Sequence, residues 1–430
     1  MALAGFRHKY MSHNIDLPAS QADRDWERRG YYNGRTEPLW LGEIRNNRYY
    51  PIRDHDYDRS LFQMKPVGPY HLIDARSYYG AVATFQAIPI ACEAEGDGWP
   101  DSDGQHPPLD CDYMAEVEIQ SDNQEFPVRL PDRTCFARGH YSTVLCGPEL
   151  ARAVNTGSIV HVGHWRRYTT ETALRAWGLG LWADRLAAEQ YGDKILATLC
   201  KGLMARLHGK FMQRANRWVL CPSVMAPAAW HNWQVLSVET GKLETYRSIG
   251  WDVQRQEDAG DATQCFPAIA AYVTAYGREW MRTWMRLAGA DQVLYVSTDA
   301  MICTDLGRRN LENSGIIGEH GIGSCRVVES SDDVAIYAAN WYSIGGKHCY
   351  AGLPVGSVGC RDRTITYYRR AGAFCSRASA ETQSITETQE TAQIEVAGDD
   401  RRLTETGWLT PLYLYDGAEA WTSARIPSRM

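Results

Sequence analysis

The stretch Val293-Leu294-Tyr295-Val296-Ser297-Thr298-Asp299-Ala300-Met301-Ile302 reads as two short apolar strands around a polar turn, with a carboxylate at the turn. Far upstream, Leu72-Ile73-Asp74-Ala75-Arg76-Ser77-Tyr78-Tyr79 puts a second aspartate where another apolar strand ends. Between them runs a helical stretch with Lys194 and Lys201, seven residues apart and so on one helix face. Two carboxylates delivered by separate strands, with a basic helix facing them, can hold two magnesium ions over a nucleoside triphosphate. The constellation points to nucleotidyl transfer. Each part alone also has a plain structural role. Aspartate is a common turn former, paired lysines often mark a solvated face, and Tyr79 suits core packing as well as stacking under a sugar. The expectation rests on their joint context.

At 430 residues the chain can bury a large core, as one multi-lobed unit or two to three subdomains. Its hydrophobic fraction of 44% is ordinary for a globular protein. No uninterrupted run of about 18 apolar residues marks a membrane span, and the first twenty residues lack the apolar core of a signal peptide. A cytoplasmic, intracellular setting is expected, with the 12 cysteines reduced. No Cys-x-x-Cys is present, and His161-x-x-His164 and His348-Cys349 stand without partner pairs, which argues against zinc. The net charge of −7 is not that of a basic nucleic-acid binder. Distribution matters more than the sum. Only seven lysines occur, and Lys194, Lys201 and Lys210 cluster, while acid concentrates in 93–113 and 381–406. This distribution is compatible with a basic cleft on an acidic body.

Along the chain, 71–90 reads as strand, turn and short helix, and 93–110 as a loop by composition. Tyr113–Ile119, Val128–Arg138 and Ser158–Gly163 read as strands, and Pro148–Asn155 as a short helix. Leucines and Trp177 at three- and four-residue spacings predict helix over 170–213, with a break at Tyr191-Gly192. Pro267–Leu287 is a second long helix. Residues 214–264 are mixed and Trp-rich. Trp218, Trp230, Trp233 and Trp251 suit either a core or stacking on bases. Strands follow in 334–355, and 376–400 is poor in large apolar groups and expected to be flexible.

These residues resemble the family B DNA polymerases, specifically the protein-primed branch of phages and linear plasmids. Asp74-Ala75-Arg76-Ser77-Tyr78-Tyr79-Gly80 resembles the first polymerase motif, Asp-x-x-Ser-Leu-Tyr-Pro. Lys201 to Gly209, followed by Lys210-Phe211, resembles the second, Lys-x-x-x-Asn-Ser-x-Tyr-Gly. Tyr295-Val296-Ser297-Thr298-Asp299-Ala300 resembles the third, Tyr-x-Asp-Thr-Asp-Ser. Tyr31 to Gly34 is similar to the Tyr-x-Gly-Gly linker motif that touches template. The stretch with Pro127, Leu130-Pro131 and Gly147-Pro148-Glu149-Leu150 falls where the family has its first terminal-protein-region insertion.

The resemblance covers about residues 28–355 and implies an α+β, right-hand polymerase fold. Its parts would be a template-contacting linker over 1–70, an antiparallel-sheet palm over 71–92 and 265–355, and a terminal-protein-region-like insertion over 93–168. Helical fingers would follow over 169–213, a short Trp-rich insertion over 214–264, and a small thumb with a flexible tail over 356–430. It implies Asp74 and Asp299 as ligands of two Mg2+ ions, which Mn2+ can replace, and Tyr79 as the sugar gate. Ser77 and Tyr78 would offer backbone amides to phosphates, and Lys201, Lys194 and Arg206 would meet the triphosphate. Tyr31, Gly34, Gly209, Lys210, Thr298 and Tyr342 would face primer or template. The implied partners are dNTPs, a DNA primer-template and a terminal priming protein, with no membrane.

The chain also departs from the pattern. Ser297 replaces the first aspartate of the third motif, and Gly80 replaces proline. Ala205, Arg206 and His208 replace the Asn, Ser and Tyr of the second motif. Asn340-Trp341-Tyr342 keeps the tyrosine of a Lys-x-Tyr primer grip and loses its lysine. About seventy residues before Asp74 are too few for a proofreading exonuclease domain. The expected activity is DNA synthesis without proofreading. Relaxed or template-independent synthesis in a defence or mobile-element setting stays open, as does a polymerase-derived binding or scaffold protein without catalysis.

Overall fold

The computed structural model describes residues 15–18, 20–51, 64–100, 108–130, 133–227, 230–238, 241, 243–262, 265–318, 321–350, 358–361, 364–370, 387–393 and 401–414. The helices among them are α1 (Gln21–Arg28), α2 (Tyr78–Phe85), α3 (Pro148–Asn155), α4 (Arg175–Tyr191), α5 (Lys194–Phe211), α6 (Pro267–Ala288) and α7 (Asp305–Asn313). The chain divides into two compact units. The first holds Met1–Met212, Phe266–Cys349 and Val396–Met430, and the second holds Gln213–Cys265 and Tyr350–Glu395.

In the first unit, a five-stranded antiparallel sheet runs Thr36–Pro38, Val293–Ser297, Ala300–Thr304, Tyr70–Ala75, Cys325–Ser331 in spatial order. One face packs on helices. Ile73, Ala75, Val296, Met301 and Cys325 cluster with Met281 and Trp284 of α6 and Leu311 of α7. Helix α6 is buried nearly all round over its first half, which its run of Ala, Ile, Val and Tyr requires. It starts at Pro267, where a missing N–H costs nothing. The buried Glu27 carboxylate accepts the Ala268 N–H at 3.2 Å and the Tyr168 hydroxyl at 3.0 Å.

Helices α4 and α5 form an antiparallel hairpin whose turn the sequence specifies. Gly192 ends α4 in the left-handed region (φ 76°), and the Asp193 carboxylate caps α5 by accepting the Ile195 and Leu196 N–H groups. Cys200, Met204, Leu207 and Phe211 of α5 enter the same core as Trp177 and Leu181 of α4. A second sheet of this unit joins Lys347–Tyr350, Trp341–Ile344, Val334–Ala338, Gly42–Arg45 and Arg48–Tyr50. A third, built on the long strands Tyr113–Ser121, Thr134–Cys146 and Ile159–Glu171, takes Ile88–Asp97 on one edge and Leu412–Leu414 on the other.

The second unit holds a four-stranded antiparallel sheet of Arg214–Leu220, Asp252–Asp261, Leu243–Ile249 and Trp230–Leu236. It also holds a three-stranded sheet of Val358–Arg361, Thr364–Arg370 and Glu387–Gln393.

Several expectations need correction. Residues 93–97, assigned to a loop, end a ten-residue strand whose register partner is Ile159–Glu171, and that pairing overrides a loop-like composition. Val128–Arg138 is not one strand: Pro127–Arg129 and Thr134–Cys146 pair as a hairpin. The helical region begins at Arg175, because the strand from Ile159 continues to Glu171. Residues 387–393 of the stretch expected to be flexible pair with Thr364–Arg370, and the rest of 376–400 lies outside the described residues. The 356–430 segment is divided, since 412–414 pairs with Thr134–Cys146 in the first unit. The 1–70 segment is woven into two sheets through 36–38, 42–45 and 48–50. No helix among the described residues is long and apolar enough to cross a membrane.

Candidate active site

The hairpin at Asp299 is as tight as a hairpin can be. Ser297 pairs with Ala300, leaving Thr298 and Asp299 as a two-residue loop. Thr298 sits at φ 49°, a left-handed conformation that strains a β-branched side chain by about 1–3 kcal/mol. Its surroundings impose this. The Thr298 N–H donates to the Arg35 carbonyl at 2.7 Å, and its hydroxyl lies 3.3 Å from that of Thr36. Ala300 is the register partner of Asp74, and the Ala75 N–H donates to the Asp299 carbonyl at 2.9 Å. Asp299 therefore sits in the loop one residue before Asp74's register partner, near enough for the Asp74 charge to act on it. Register continues the row across the sheet as Thr36, Ser297, Ala300, Asp74 and Arg326. Strand alternation turns this row to the face away from α6 and α7, where Ile73 and Ala75 point.

The two carboxylates feel each other. Burial, and then the Asp74 charge, push Asp299 up to about 6. Burial also raises Asp74, opposed by Arg326, Lys201 and Lys347. Lys201 acts on both aspartates. Burial and the Asp74 charge together let Asp299 hold its proton up to about pH 6. As a donor set, two carboxylates on a half-open face suit a hard divalent ion that takes its remaining ligands from water and phosphate. No group of three or more His, Cys, Asp or Glu ligands occurs among the described residues, so a closed all-protein cage does not form there.

Helix α2 opens beside Asp74. Ser77 precedes it at φ 52° and makes no side-chain cap; instead its hydroxyl accepts from Arg185 Nη1 of α4 at 2.9 Å. Tyr78 and Tyr79 are the first helical residues, whose N–H groups have no partner within the helix. The Tyr79 side chain hydrogen-bonds Thr298. Gly34 makes room for both. A Cβ there would lie 2.6 Å from Thr298 Cγ2 and 2.7 Å from the Tyr79 hydroxyl. The Tyr31–Gly34 turn is anchored from below. Asn33, at φ 59°, offers its carbonyl to Arg278 Nη1 at 2.5 Å, while Arg278 forks onto the buried Glu149 carboxylate at 2.8 and 2.7 Å. Burial works against the Arg278 charge, but Glu149 outweighs it and holds the guanidinium well above its ordinary range.

The facing wall is α5. Lys201, Met204 and His208 follow one another at three- and four-residue steps on one side. Met204 packs so close to α2 that a Cβ on Gly80 would come within 2.9 Å of it, which explains glycine at a position where the second helix must approach. The His208 ring lies 4.3 Å from that of Tyr79, and burial holds its pKa down to about 4, so it is a neutral imidazole.

No protein-family profile matches the chain, and no curated protein does. Solved structures do. The chain is similar to Phi29 DNA polymerase. Against that polymerase complexed with primer-template DNA and incoming nucleotide substrates, the identity is 15% and the TM-score 0.49, covering 79% of this chain and 54% of that one. Against its post-translocation binary complex with primer-template DNA, the values are 14%, 0.48, 82% and 56%. The family B DNA polymerase from the archaeon Pyrobaculum calidifontis gives 14% and 0.28, over 70% of this chain and 28% of that one. The chain spans about half the length of the Phi29 polymerase.

Of the residues singled out in the sequence, the fold gathers Tyr31, Gly34, Asp74, Ser77, Tyr79, Lys201, Thr298 and Asp299 into one neighbourhood. Tyr342 joins its edge, with its ring 4.9 Å from Tyr295, and Ser297 donates to Asn340 Oδ1 at 3.4 Å. Others stand apart. Tyr78 can contribute only its backbone, because its ring is buried against Trp280 and Trp284 and its hydroxyl donates to the Gly277 carbonyl. Lys194 shares the face of Lys201 but stands at the start of α5, about 10 Å along the axis. Arg206 is a correction. It lies about 140° around the helix from Lys201, on the exposed side, because the helical repeat turns a residue five positions on away from the site. Gly209 and Lys210 are likewise exposed near the end of α5. Sequence reasoning missed Arg185, Arg326 and Lys347. Each is ordinary in its local pattern, and only the fold sets it beside Ser77 or Asp74.

Proposed function

We propose that this protein is a nucleotidyltransferase that extends a DNA primer with dNTPs, using Mg2+, or Mn2+ in its place. The observation that carries the reading is the meeting of Asp74, on its strand, with Asp299, in the adjoining hairpin loop, under the charge of Lys201 and beside the open N-terminus of α2. Asp74 and Asp299 would hold the divalent ions, two in the full site, which supply charge stabilisation for the attacking 3′-oxygen and the leaving pyrophosphate. Lys201 and the amides of Tyr78 and Tyr79 bind the triphosphate. Tyr79, fixed by Thr298 and Gly34, forms the floor under the sugar, where its ring excludes a 2′-hydroxyl. The Tyr31–Gly34 turn lies next to this floor and is suited to template contact. A protein hydroxyl as primer belongs to the same proposal.

Primer extension with purified protein, labelled primer-template, dNTPs and Mg2+ tests it. Extension by the wild type that Asp74→Asn and Asp299→Asn both abolish is the expected result. Absence of extension from both a DNA primer and a protein primer, or full activity in either variant, would overturn it. A second reading, synthesis with relaxed use of template, is favoured by His208, a neutral imidazole leaning on Tyr79 where the resembling motif has tyrosine. Sequencing the products separates the two, since output independent of the supplied template supports relaxed synthesis.

A further inference from the structure

The sheet that carries the carboxylates sets another charged side chain beside them that no motif announces. Arg326, on Cys325–Ser331, is the register partner of Asp74. Register partners on neighbouring strands point to the same face. The Arg326 guanidinium accordingly lies over the carboxylate, with Nη2 3.8 Å from Asp74 Oδ2. The contact is a loose one, longer than the forked, bidentate geometry an arginine makes with a carboxylate it is locked to. The Arg326 side chain also keeps 51% of its exposure, so it can move without unpacking the core.

A divalent cation entering between Asp74 and Asp299 needs the same Asp74 oxygens and repels the guanidinium. Arg326 must then give way, and the polyphosphate of a nucleotide held above the pair is an anion that can receive it. We propose that Arg326 is a further phosphate-binding residue of this site, resting on Asp74 in the unloaded protein and passing to the nucleotide polyphosphate when a divalent ion takes its place. The proposal rests on the nucleotidyl-transfer reading. Lys201 reaches the site from a helix and Arg326 from the opposite edge of the carboxylate strand, so the polyphosphate is gripped from two sides. The planar guanidinium adds a forked contact that lysine lacks.

The test measures binding, not turnover. Mn2+ binding to the full chain is followed by electron paramagnetic resonance, and dTTP binding in the presence of Mn2+ by calorimetry, for wild type, Arg326→Gln and Arg326→Lys. Removing a half-exposed competitor should tighten Mn2+ binding by Arg326→Gln about three- to fivefold. Losing a charge-assisted contact should weaken dTTP binding about tenfold or more. Arg326→Lys should keep wild-type Mn2+ affinity and show intermediate dTTP affinity, which also guards against a variant that simply misfolds. A wild type that binds Mn2+ and dTTP, with Arg326→Gln matching it in dTTP affinity or binding Mn2+ more weakly, overturns the role of Arg326 and leaves the site reading standing. A wild type that binds neither overturns both.

Discussion

Asp299→Asn removes the cost that burial and the neighbouring Asp74 charge impose on the metal-free fold. Burial and the Asp74 charge carry the Asp299 carboxyl from its ordinary 3.8 up to about 6. A raised carboxyl means that the folded chain holds a proton that the unfolded chain has already released. The resulting stability is present at low pH and is lost as pH rises through about 6. About two pKa units at 1.36 kcal/mol each give about 3 kcal/mol. The side chain keeps some contact with water, so the gain expected from asparagine at pH 7.5 is about 1–3 kcal/mol. Asparagine fills the same volume, which leaves packing out of the comparison. The assay is thermal unfolding of wild type and variant in EDTA at pH 4 and pH 7.5, then with Mg2+ added. Asp299→Asn should unfold a few degrees higher than wild type at pH 7.5, and the difference should shrink at pH 4. Mg2+ should raise the wild-type midpoint at pH 7.5 and leave the variant unmoved. A variant no more stable than wild type at pH 7.5, or one equally stabilised at both pH values, would refute the raised Asp299 carboxyl.

Three further outcomes follow from the site. Lys201→Ala should raise the nucleotide KM about tenfold with a smaller change in kcat, as steady-state incorporation kinetics will read, because a charge-assisted phosphate contact is worth about 1.5–3 kcal/mol. Gly34→Ala should cost about 1–3 kcal/mol in denaturant unfolding and depress incorporation, since the new methyl must displace Thr298 or Tyr79. Arg278→Met should cost about 3–5 kcal/mol by leaving Glu149 buried and unpaired. Adding Glu149→Gln to it should restore part of the loss, and a double variant no better than the single would show that the pair is not the anchor of the Tyr31–Gly34 turn.

Local chemistry wrote several elements directly into the chain. The helix pair around Gly192-Asp193, the Pro267 helix and the Asp299 hairpin each carry their own start, stop or turn residue, and each forms where its residues place it. Lys201 was legible for the same reason, because helical spacing alone fixes which residues share its face. Arg206 misled because a motif position was followed instead of the 100° step per residue that governs the helix. The strand at 93–97 misled because its polar residues gain their place only from pairing with Ile159–Glu171, a partner that composition does not reveal.

By itself, then, the sequence determined which short segments turn, coil or extend, because those choices depend on neighbours a few residues away. It also supplied the two aspartates and the scarce lysine. Tertiary structure alone decided that Asp74 meets Ala300 on one side and Arg326 on the other, that Gly34 closes on Thr298 and Tyr79, and that Arg185 reaches Ser77. Strand order and register set these encounters, and both are fixed by which faces the whole chain can bury together.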